Sequence, residues 1–158
     1  MTIITLIGID PGLIDTGAVA FYIRTGSPAY TVEYEKIPGG QPQLVANFVK
    51  AHARGDTQIF IEKYRDRGTV FSTHDKMRKL EQDLKRLIPR AKLLNNMGVR
   101  DVVTDDLLKL LGVWSFTTVT NHQDLRSAAR IALLGALKDD DLNLIFTTIV
   151  TTLLNSQP

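Results

Sequence analysis

The chain has 158 residues, 44% of them hydrophobic and 23% charged, with a net charge of +2. That length and balance predict one domain able to bury a core, and they exclude a disordered or fibrous chain. With no apolar run of about 18 residues, no cysteine, and neither an early Lys or Arg nor a small-residue cleavage site in residues 1–9, the sequence predicts a cytoplasmic protein. It would have no membrane partner, signal peptide, disulfide or zinc–thiolate site.

Residues 3–9 form an apolar, largely β-branched run stopped by Asp10-Pro11-Gly12, which predicts a buried strand and a turn. Strands over 18–23 and 30–37 follow, the second with Glu33 and Glu35 on a wet face, and together they predict an antiparallel meander. Pro42 opens a helix with Leu44, Val45, Phe48 and Val49 on one stripe. A fourth strand over 58–61 ends at Glu62. Ser72 or Thr73 caps the next helix, whose apolar stripe is Met77, Leu80, Leu84, Leu87 and Ile88 and which Pro89 ends. A short strand over 91–94 and a helix between Thr104 and Gly112 come next. The last clear helix starts near Thr120 or Asn121, with Leu125, Ala128, Ala129, Ala132, Leu133 and Ala136 on one face. In the tail, 142–154, apolar residues recur near helical spacing but four threonines dilute the pattern. The order β-β-β-α-β-α-β-α-α predicts an α/β fold, a mixed sheet with helices packed on it. No repeat or linker divides residues 1–158, which read as a single domain.

Three acids stand at element ends: Asp10 after the first strand, Glu62 after the fourth, and Asp124 in the first turn of the last helix. Asp124 lies four residues before Ala128 and eight before Ala132, so it is expected on the sheet-facing side, where small alanines let the helix approach Asp10. Converging carboxylates repel, and burying them unpaired costs several kcal/mol. An oxygen-only donor set suits Mg²⁺, with Mn²⁺ as a substitute. Two ions about 3.5–4 Å apart would clamp a scissile phosphate. No small-molecule cofactor is expected.

The charge is unevenly spread. Residues 63–92 hold ten basic side chains against four acids, while the rest of the chain is net acidic. Such a segment is the footprint of a polyanion-binding face. Lys63, Arg65, Arg67, Lys76, Lys79 and Arg86 are among its bases, with Tyr64 between the first two.

The segment Gly8-Ile9-Asp10-Pro11-Gly12 with Thr16-Gly17, Ile61-Glu62 after a strand, and His122-Gln123-Asp124 before an Ala-rich helix resemble the three motifs of the RuvC family of Holliday junction resolvases. The order and spacing cover nearly the whole chain, and the small size and divergent middle are similar to bacteriophage members, in which case the compartment is the host cytoplasm. The resemblance implies a ribonuclease-H-like fold, with a five-stranded mixed sheet and helices on both faces. It also implies a metal-dependent homodimeric endonuclease that cuts four-way DNA junctions by paired nicks. It places DNA contacts in the basic segment after Glu62, making Lys63, Tyr64, Arg65, Arg67, Lys76, Lys79 and Arg86 the candidate DNA contacts, with Tyr64 able to stack on an unpaired base. One departure concerns the family's fourth ligand, an acid or His three residues before the last Asp. Here that position is Asn121, followed by His122. Helical spacing favours Asn121 as the ligand; chemistry favours His122, as ligand or catalytic acid–base group. Two alternatives remain: a non-catalytic junction-binding module, and a nuclease of the same fold acting on another structured nucleic acid. The predicted dimer surfaces are the helix over 77–88 and the tail, with Leu84 and Ile149 as the positions where a charge would disturb them.

Overall fold

The first strand, β1 (Ile3–Asp10), lies at the middle of a five-stranded sheet of order β3-β2-β1-β4-β5. The structure is a computed structural model and describes residues 2–27, 29–65, 71–117 and 119–157. β2 (Asp15–Arg24) and β3 (Ala29–Pro38) run back and forth beside β1 as the predicted meander. β4 (Asp56–Glu62) joins the other side of β1 in parallel, and β5 (Lys92–Leu94) continues the parallel half.

Alternation along the strands sends side chains to two cores. Ile7, Ile9, Ala18, Ala20, Tyr22, Ile59 and Ile61 point to one face. That face is covered by α1 (Pro42–His52) through Val45, Phe48 and Val49, and by α2 (Phe71–Leu87) through Leu80 and Leu84. Leu6, Val19, Phe21, Ile23 and Phe60 point to the other. There they meet α5 (Gln123–Leu137), with α4 (Asp105–Leu110) beside it and α6 (Asp140–Asn155) reaching the sheet through Phe146 against Phe21. The α/β class, the mixed five-stranded sheet and the helices on both faces are as the sequence predicts.

Four local differences have physical causes. β2 begins at Asp15 rather than 18, because Asp15 and Thr16 continue the ladder opposite Pro38 and Ile37. A short helix, α3 (Val99–Val102), follows Gly98, whose left-handed φ of 71° turns the chain after Asn96; nothing in a four-residue helix produces a readable period. α5 begins at Gln123, since Asn121 uses its Oδ1 to accept from the Gln123 amide at 3.1 Å. The diluted tail is a regular 16-residue helix. Its threonines do not break it: Thr147, Thr148, Thr151 and Thr152 each donate a hydroxyl to the carbonyl four residues back, at 2.8–3.0 Å.

Leu84 and Ile149 correct one expectation. They are 0% and 1% exposed, packed inside the two cores of the chain itself. Neither is a surface available to a second copy. No helix among the described residues is long and apolar enough to cross a membrane.

Candidate active site

Ile9 is the register partner of Ile61 in the parallel pair β1–β4. Asp10 and Glu62 are therefore the next residues outward on strands that lie about 4.8 Å apart. Two residues earlier, Gly8 and Phe60 both meet α5, at Ala128 and Gly135. Asp10 and Glu62 share that face, and they line one cleft of about 620 Å³ at the carboxyl edge of the sheet.

Glycine sets how closely α5 approaches. A Cβ on Gly8 would stand 2.0 Å from the Ala128 carbonyl oxygen, and one on Gly17 would stand 2.2 Å from that of Asp124. Gly17 is the cross-strand partner of Asp10. The first turn of α5 thus rests on the residue beside Asp10, and the row Asp124–Ala128–Ala132 faces the sheet as the sequence predicts. Asp124 is half-buried. Burial pushes its carboxyl above the usual carboxylate range, and the negative charge of Asp15 adds to the effect while Lys36 opposes it. Lys36 is itself 3.4 Å from Asp15. The structure brings Asp10 and Glu62 together on the cleft and sets Asp124 one strand over, beside Asp15 and Lys36. Among the described residues, no three carboxylate, His or Cys groups stand close enough to hold a metal together.

Glu62 does not stand alone. Asn96 Nδ2 donates to its Oε1, and Arg65 donates to Asn96 Oδ1 at 3.5 Å. Asn96 thus joins an acid to a base of the cleft rim, a role the sequence reading missed. The signal was there: an Asn pair directly follows the strand that flanks β4, at the same sheet edge as Glu62. Arg100 and Arg130, which line the same cleft, were missed as well.

Of the predicted fourth-ligand candidates, neither lies on this cleft. His122 Nε2 donates to the Val119 carbonyl at 2.8 Å, and its ring meets Phe116 edge-to-face at 5.9 Å. With Asn121 it lines a smaller concavity at the head of α5.

Among the predicted DNA contacts, Lys63, Tyr64 and Arg65 line the cleft. The Tyr64 amide donates to Glu81 at 2.7 Å, and its hydroxyl shares a hydrogen bond with His74 Nδ1 at 3.2 Å. Lys76, Lys79 and Arg86 are exposed on α2. Lys79 and Arg86 share Asp83 at 3.4 and 3.7 Å, contacts that water and salt weaken. Arg67 lies outside the described residues. Two other bases of the segment have internal duties. Lys85 donates to the Ala91 carbonyl at 2.5 Å and Arg90 to that of Thr57 at 2.9 Å.

No family model matches the chain, and no curated protein matches it. Among solved structures, Thermus thermophilus RuvC in complex with a Holliday junction substrate covers 92% of this chain and 96% of its own, at a TM-score of 0.58 and 11% identity. The chain has the RuvC fold. A second structure of Thermus thermophilus RuvC gives 0.57 and 12% over the same shares. Fowlpox virus resolvase with its Holliday junction substrate gives 0.48 and 14%, over 84% of this chain and 95% of that one. Within the RuvC fold of this chain, Asp10 and Glu62 occupy adjoining ends of the two central parallel strands, with the head of α5 packed over Gly17.

Proposed function

We propose that this chain is a metal-dependent, structure-selective DNA endonuclease that resolves four-way junctions by paired phosphodiester hydrolysis as a homodimer. The supporting observation is the pairing of Asp10 with Glu62 at the floor of a cleft rimmed by Lys63, Arg65 and Arg100, on a fold shared with a junction-bound RuvC. Two adjoining carboxylates would repel a phosphodiester; the cations around them attract it.

The donor chemistry fits hard divalent ions. Asp10 and Glu62 offer carboxylate oxygens, and Asp124 offers a third once its side chain turns from Lys36 toward Asp10. Mg²⁺, replaceable by Mn²⁺ and present as two ions, is the proposed cofactor. When bound, it would offset the carboxylate charge and supply the Lewis acidity for hydrolysis. The chain's own part is positional. Asn96 keeps Glu62 directed along the cleft, and Gly8 and Gly17 let the first turns of α5 lie close on β1 and β2. Lys63 and Arg65 draw the strand onto the acids, and Tyr64 offers a stacking face beside them. The junction arms extend over Lys76, Lys79 and Arg86, with Arg67 of the same segment as a further phosphate contact.

One observation favours a second reading, a junction-binding module without catalysis: the described residues contain no three-ligand grouping. A labelled four-way junction, incubated with and without Mg²⁺, separates the two. Symmetric nicks that need Mg²⁺ and vanish in Asp10→Asn support the nuclease. Tight binding with intact arms under both conditions would leave only the module. Linear duplex, flap and structured RNA substrates in parallel test the selectivity.

A further inference from the structure

The cleft adjoins two smaller concavities. Lys63 and Tyr64 line both the cleft and the concavity along α2, while Gln123 lines both the cleft and the concavity at the head of α5. We propose that one nucleic-acid strand runs along this whole path, and that its far end is gripped by a second set of phosphate contacts, Arg100 and Arg126, held in place by Arg130 and Trp114. This rests on the nuclease reading only in placing the scissile phosphate between the two ends.

Arg126 is the clearest case. Its Nε donates to the Trp114 carbonyl at 2.7 Å, and its guanidinium carbon sits 3.6 Å from the Trp114 ring centre. The indole and its carbonyl fix the plane of the guanidinium. Arg126 lines the concavity beside Asn121, His122 and Gln123, and with Nε given to Trp114 its Nη donors are the ones a ligand would meet. A planar donor fork fixed in this way suits phosphate oxygens. Lys109 Nζ, 4.7 Å from the same ring, adds charge behind it.

Arg130 links this grip to the cleft. It is 4% exposed and lines the cleft wall. Its Nε donates to the Val103 carbonyl at 3.2 Å, and its Nη2 meets the Asp105 carboxylate. Arg130 is thus a positioning residue that ties the segment carrying Arg100 to α5. Burial lowers the pKa of Arg130; Asp105 opposes that shift, and Arg100 and Arg126 add to it. Arg100 and Arg126 thus stand near enough to Arg130 to disfavour its charge, a repulsion that a polyanion would relieve. Net charge does not single out this wall, because Asp101 lines it and Asp105 meets Arg130. Fixed guanidinium geometry does.

The test uses the whole chain and a fluorescent four-way junction without divalent metal, titrated across a range of salt concentrations. Each phosphate contact removed should lower the slope of log affinity against log salt by about 0.7–0.9. Arg100→Gln with Arg126→Gln should therefore lower it by roughly twice that, additively with Lys76→Gln and Lys79→Gln. Arg126→Lys, which keeps the charge but loses the fork, should recover part of the slope and little of the affinity. Melting curves identify variants that fail to fold, and Arg100, exposed and outside both cores, tests the idea even if Arg126 variants do not fold. An unchanged slope in folded variants overturns the second grip, even where the wild-type chain cuts junctions in Mg²⁺. A reduced slope in a wild-type background that never cuts would sustain the grip and overturn the nuclease.

Discussion

Asp124 is held where its charge is disfavoured, by burial first and by Asp15 second. The sign of the consequence follows from linkage. A carboxyl whose folded pKa is raised favours the protonated native state, so the stability present below its ordinary value of 3.8 is lost as pH rises through the folded value. Asp124→Asn is therefore expected to melt higher than the parent at neutral pH without metal, with the gap closing below about pH 4, while junction cleavage is abolished. A lower melting point at pH 7 would contradict the burial argument, and normal turnover would remove Asp124 from the site. His122 differs, because its ring is anchored to Val119 and Phe116 away from the cleft. If it moves a proton during cleavage, His122→Ala should slow the reaction by about 10²–10⁴-fold and Asn121→Ala much less. Turnover that stays normal in a less stable His122→Ala protein would make the ring an anchor only. At this scale the sequence was partly legible. Asp10, Glu62 and Asp124 stand at element ends, which the patterns reveal. Asn96 and Arg130 act through contacts between elements far apart in sequence, which no period encodes.

Elements were more legible than their edges. The apolar runs of β1, β2 and β4, the alternation of β3 and the apolar stripes of α1, α2 and α5 follow from what must be buried, so sheet and helix type could be read directly. The tail could not, because threonine is a weak helix former in general, and its hydroxyl bonds to the preceding turn are visible only in three dimensions. α6 instead depends on its start. Asp139 accepts from the amides of Asp141 and Leu142 at 3.1 and 3.0 Å, and from Gln58 of β4 at 3.3 Å. These bonds hold its carboxyl below the usual range, the Leu142 amide contributing most. Asp139→Ala should cost about 1 kcal/mol, as lost helix caps do. A depressed folded pKa gives stability above the ordinary carboxylate pKa and loses it as pH falls through the folded value. The deficit measured by urea unfolding should therefore be full at pH 7 and shrink in acid. An equal deficit at pH 2 would assign the effect to packing instead.

For the molecule as a whole, a four-way junction has two-fold symmetry, and one chain supplies acids for one centre. Two copies about a two-fold axis would present two centres to two strands. Because Leu84 and Ile149 are interior, the surface for this dimer must lie elsewhere. The open face of α6 carries Leu144 and Leu154, 69% and 55% exposed. Sedimentation at micromolar concentration is expected to give a dimer, and Leu144→Glu to shift it toward monomer with the fold intact. A monomer that still makes paired nicks would discard the assembly. The packing of α5 across β1, β2 and β4 also bears on the order of events during synthesis. The three proposed acids come from the opening strand, the middle of the chain and the last third, and the sheet edge is only two-thirds of the constellation until α5 docks on Gly8 and Gly17. A nascent chain still lacking α5 would hold Asp10 and Glu62 at the sheet edge and lack the third carboxylate. Under the proposed reading the third acid would then arrive only when α5 docks, so the folding order itself would delay cutting by an incomplete chain.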